Sequence, residues 1–134
     1  MECPALLVVT NNSLVSDWIE QKFAEHCKAI YIDGSIRDVA IYARNKIMLG
    51  IRLAADPVAG RRERPTPYLT ILLDTKTDNR KQDIPFQVLQ VERFIGWYYL
   101  WEEKLSSMQQ EVKNDFQYID YSLSVSALQS VEHT

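Results

Sequence analysis

A chain of 134 residues with 46% hydrophobic content can bury one core without disulfide or metal staples, so a single α/β domain over residues 1–134 is expected. No basic start leads into an apolar signal segment and no apolar run is long enough to cross a bilayer; the expected location is the cytoplasm, with no membrane partner. A net charge of -3 argues against general affinity for nucleic acid, and two cysteines without CxxC spacing, Cys3 and Cys27, read as reduced thiols. With His26 and His133 as the only histidines, a zinc site has too few ligands, and the sequence leaves the cofactor unknown.

Residues 5–10 form a short apolar, β-branched run that ends in Thr10-Asn11-Asn12-Ser13, the pattern of a buried strand delivering the chain to a helix. Ser13 is the expected cap, and Val15, Trp18, Ile19 and Phe23 follow at helical spacing to about His26. A second strand over 29–32 closes in Asp33-Gly34-Ser35, with Ser35 capping a helix whose inner face is Ile36, Val39, Ala40, Ala43 and Ile47. Gly50 ends that helix where left-handed geometry is wanted.

A third short strand over 51–55 leads into a loop from Asp56 to Pro67, interrupted by three prolines and a glycine. Residues 68–74 restore a strand pattern, and 75–83 read as a charged surface connection. From Pro85 a long helix carries Phe94, Tyr98, Trp101, Leu105, Met108 and Val112 on one stripe, with a break expected near Ser106 and Ser107. Tyr121 to Val125 alternate in polarity, so 116–125 is read as a terminal strand with a helix as the competitor, and 126–134 as a frayed tail. The expected fold is a three-layer α/β arrangement: a mostly parallel sheet of four or five strands, half of a Rossmann-like or flavodoxin-like fold, with a long C-terminal helix.

In such a sheet ligands bind beyond the carboxyl ends of the strands, where three polar clusters fall. Thr10, Asn11 and Asn12 precede a helix whose N-terminus suits an anion, although simple capping asks for the same residues. Asp33 resembles the acid that grips a ribose, but the first turn has no glycine, so dinucleotide binding is not expected and a capping turn is the competing reading. In the third cluster Arg61, Arg62 and Arg64 follow Gly60 in a proline-stiffened loop that suits bidentate clamping of phosphate or carboxylate; a solvated turn balanced by Asp56 and Glu63 is the alternative. Asp33 and Asp56 alone are too few for a metal, and no catalytic Ser-His-Asp or Cys-His set is readable. Trp97, Tyr98, Tyr99 and Trp101 crowd one segment; rings that lie off the buried stripe would serve a homo-oligomer or partner face.

Val9-Thr10-Asn11-Asn12-Ser13-Leu14-Val15, Ala43 to Gly50, Asp56-Pro57-Val58-Ala59-Gly60 and Thr66-Pro67-Tyr68 together resemble the GrdX family over roughly residues 5–125. In that family's pattern a histidine stands where this chain has Asp56, and the segment before Thr-Pro-Tyr is less basic. The resemblance implies an accessory role beside glycine reductase or a related amino-acid pathway, without an assigned activity. It carries over Thr10, Asn11, Asn12, Pro57, Gly60, Thr66, Pro67 and Tyr68. The expected function is a ligand-binding accessory protein holding a small anionic metabolite or phosphate, at Thr10, Asn11, Asn12, Asp33, Asp56, Gly60, Arg61, Arg62, Arg64 and Tyr68. The alternative is an interaction module that dimerises or docks on an enzyme component through its aromatic helix.

Overall fold

Period-two alternation in the apolar runs decides which side of the sheet each side chain serves. The computed structural model describes residues 5–57, 64–75 and 83–132. Its elements are β1 (Leu6–Thr10), α1 (Ser13–Lys22), β2 (Cys27–Tyr31), α2 (Ile36–Met48), β3 (Arg52–Leu53), β4 (Thr70–Asp74), α3 (Ile84–Ser106) and α4 (Gln110–Glu132). On one face Leu6, Val8 and Leu72 pack against Val15, Ile19 and Phe23 of α1 and Leu128 of α4. On the other, Val9, Ile71 and Leu73 pack against Val39, Ala43 and Ile47 of α2 and Val91, Phe94 and Trp101 of α3.

The sheet corrects the expectation of a mostly parallel, Rossmann-like arrangement. Its order is β2-β1-β4-β3, and β1 with β2 is the parallel pair; β4 runs antiparallel to both of its neighbours. The physical reason lies in the connections. A parallel neighbour needs a long crossover, usually a helix, and α1 supplies one between β1 and β2. No helix is assigned among the described residues between β3 and β4, and the chain returns antiparallel. Insertion of β4 between β1 and β3 still leaves β1, β2 and β3 running the same way, so their carboxyl ends share one edge.

Local chemistry sets the ends of the elements. Asn12, rather than Ser13, caps α1 by accepting the Leu14 N–H, and the helix stops at Lys22, short of His26. Ser35 caps α2 as expected, in a reciprocal box with Asp38. Gly50 follows α2 at φ +104°, a backbone region that disfavours side chains. β3 is shorter than 51–55, although the Ala54 N–H still reaches the Leu72 carbonyl at 2.9 Å. The break after Ser106 is present, and there Ser106 and Ser107 donate to carbonyls of the last turn of α3.

The tail is the second correction. Residues 116–125 lie within α4, and 126–132 continue it, with Leu128 fully buried. The inner face of that helix is partly polar, since Asp120 and Ser124 are buried with Leu128 at helical spacing, so hydropathy alone mimicked a strand. None of the described helices is long and apolar enough to span a membrane.

Cys27 begins β2 against α1 and is buried, and that burial pushes its thiol from 9.0 up to about 12. It will therefore resist alkylation by iodoacetamide at pH 8 until the protein unfolds, as peptide mass mapping will show. Because the folded value is raised, its contribution to stability is complete below pH 9.0 and is lost as pH rises toward about 12.

Candidate functional site

The turns after β1 and β2 meet the Pro67 end of the third segment at the carboxyl edge, but the first task of these residues is structural. Asn11 is buried, and both protons of its amide nitrogen go to carbonyls, Gly34 at 3.0 Å and Pro67 at 2.9 Å, while its oxygen accepts the Leu69 N–H at 2.9 Å. Backbone donors and acceptors thus fix the orientation of the amide. One side chain joins the turn after β1, the turn after β2 and the approach to β4. The sequence segments Thr10-Asn11-Asn12 and Thr66-Pro67-Tyr68, far apart in the chain, are joined through it.

Asn12 faces the opposite layer. Its amide donates to the Gln117 carbonyl at 2.9 Å and to Asp120 Oδ2 at 3.0 Å, so α4 is tied to the start of α1. Thr10 and Thr70 are direct cross-strand partners, and Asp120 lies against them. Proton directions follow from the acceptor at the end. Thr70 Oγ1 donates to Asp120 Oδ2 at 2.8 Å, so Thr10 Oγ1 must donate to Thr70 Oγ1 at 2.7 Å, and Thr10 in turn accepts the Asn12 N–H at 3.0 Å. Thr10, Asn12, Thr70 and Asp120 are all buried. The result is a buried polar core whose members hold one another.

Beside this clamp, on the α2 and α3 side, opens a cleft of about 490 Å³. Asn11, Asp33, Gly34 and Tyr68 line it among the sequence-selected positions, and Tyr31, Tyr98, Glu102 and Lys113 complete its walls. Its volume falls in the range of small-molecule sites. Asp33, Glu102 and Lys113 make no ion pair among the described residues. Burial raises the Tyr68 phenol, and the Tyr31 phenol on the same lining raises it further. Ser35 and Ile36 bring the N-terminus of α2 to the same rim, where its partial positive charge favours an anion.

The remaining expected positions are placed elsewhere. Thr10 and Asn12 do not line this cleft; they belong to the clamp. Asp56 is exposed and borders a separate cleft of about 400 Å³ between the end of β3 and α4, along with Pro57, Thr70 and Ser124. Arg64 is exposed, and Gly60, Arg61 and Arg62 lie outside the described residues. Reading the sequence missed Tyr31, Glu102 and Lys113, single residues with no motif around them. It also missed Asp120, whose signal was its helical spacing with Ser124 and Leu128.

Cutting the clamp will cost stability. Asn11→Ala leaves two carbonyls and an N–H without a partner, and Asp120→Ala strands donors of Asn12 and Thr70; each will destabilise the protein by ~2–4 kcal/mol in urea titrations. Ser130→Ala, on an exposed position of α4, will stay within ~0.5 kcal/mol of the parent.

Among the described residues, no group of three His, Cys, Asp or Glu side chains gathers as metal ligands would. No curated protein and no solved structure gives a match to the chain. The family model described as GrdX-like protein matches residues 7–129, a span that takes in β1 apart from Leu6, β2 to β4, the clamp and the cleft. The chain therefore belongs to the GrdX-like family.

Proposed function

We propose that the protein is a non-catalytic accessory protein that binds a small anionic metabolite in the carboxyl-edge cleft. The observation that carries this reading is Lys113, a cation without an ion-pair partner among the described residues, lining the concavity that the N-terminus of α2 also borders. Anchoring of the cleft by Asn11 supports it, because a ligand site needs walls that do not move. The family resemblance makes amino-acid metabolism of the glycine reductase type the proposed setting.

A second reading, an interaction module, is favoured by one observation. Phe86, Leu89 and Leu100 of α3 are exposed, the last at 76%, while Phe94 and Trp101 of the same helix are buried. That outer apolar face would seat a second copy or an enzyme component.

The test is thermal unfolding with inorganic phosphate, acetate and larger carboxylates, for the parent and for Lys113→Ala. A ligand at a hundredfold its Kd adds ~2.7 kcal/mol, which raises Tm by roughly 10 °C for a domain of this size. The expected result is such a rise in the parent and its loss in the variant. Absence of a rise with any anion contradicts the binding reading and leaves docking through α3 as the better one.

A further inference from the structure

We infer that the carboxyl-edge cleft receives an organic ammonium group on the tyrosine rings beside Asp33 and Glu102, so that its ligand carries a positive end as well as the anionic one. The inference rests on the reading of this cleft as a ligand site and adds a second charge to what it holds. Three rings, Tyr31, Tyr68 and Tyr98, line one concavity. An aromatic face attracts a cation through its quadrupole, and several rings around a hollow are the arrangement that selects methylated or primary ammonium groups over neutral ones of the same shape.

Two of the protein's other tyrosines provide the contrast. Tyr42 carries Lys46 over its ring at 5.4 Å, and Tyr99 carries Arg37 at 5.7 Å while its hydroxyl accepts from Arg37 Nε at 3.0 Å. The three cleft rings carry no such cation among the described residues. Tyr98 and Tyr99 meet in an edge-type contact, with ring centroids 5.9 Å apart. The aromatic surface of the cleft therefore lacks the positive charge that Tyr42 and Tyr99 carry.

Electrostatics point the same way. Two carboxylates, Asp33 and Glu102, face a single lysine in the lining, and none of the three is paired among the described residues. A purely anionic ligand would satisfy Lys113 and leave both carboxylates facing like charge. A ligand with an ammonium end answers both, with its cation between the carboxylates and the rings and its anion toward Lys113. Ser35, although it also lines the cleft, is spent on the capping box with Asp38.

The test compares choline with 3,3-dimethylbutan-1-ol, which has the same shape without the charge, by calorimetric titration of the full chain at fixed ionic strength. Choline should bind at least about tenfold more tightly than the alcohol. Tyr98→Leu and Asp33→Asn should each weaken choline about fivefold, and Asp33→Glu should restore most of the loss; ligand-free Tm values show that each variant is folded. Equal affinities for choline and the alcohol, or no binding of either, overturn the inference. Inorganic phosphate and acetate, titrated alongside, separate the two claims: if they bind and choline does not, the anion reading stands alone, and if nothing binds both readings fail.

Discussion

Everything at the working edge of this protein depends on a buried run of hydrogen bonds that ends on one carboxylate. Asn12 N–H, Thr10, Thr70 and Asp120 form a chain in which each hydroxyl has a single proton and the carboxylate at the end determines where it points. A second line from the Asn12 amide reaches the same oxygen. Taking a carboxylate out of water is costly unless it is fully hydrogen-bonded, so α4 can occupy its place only when β1, β4 and the cap of α1 are all correctly positioned. Polar groups in this core specify the arrangement, while the apolar clusters on either side of the sheet supply most of the driving force.

Asn11 performs the matching task on the other face. It closes the gap between the turn at Gly34 and the strand entry at Pro67 and Leu69, two segments with no continuous ladder between them. The cleft is what remains between this tie and the α3 to α4 corner, so its shape follows from the clamp instead of from a loop. Adjacent asparagines with opposite side-chain directions thus divide the labour: Asn12 secures the roof helix, and Asn11 secures the floor of the cleft.

Much of the framework is legible in the chain. Ser35 three residues before Asp38, Gly50 after a helical stripe, and the helix break at Ser106 and Ser107 each have a local physical cause, and each is found. Strand direction is not local: β4 has the same apolar pattern whichever way it pairs, and only the lack of a crossover helix before it hints at reversal. The tail misled because Asp120 and Ser124 face inward, so a hydropathy pattern treats the buried side of α4 as exposed. For the site, Asn11 and Asp33 were visible as polar residues at strand ends and Tyr68 through the family resemblance, whereas Glu102 and Lys113 come from the facing ends of two helices and meet the others only through tertiary packing.

The most direct measurement is hydrogen exchange of the Asn11 and Asn12 side-chain amides, followed by NMR in the free protein. The clamp predicts that both exchange only with global unfolding, protected to the same extent as the β1 backbone. Exchange at the rate of a solvent-exposed asparagine would contradict it, and would leave the Asn11 amide as a group of the cleft free to meet a ligand.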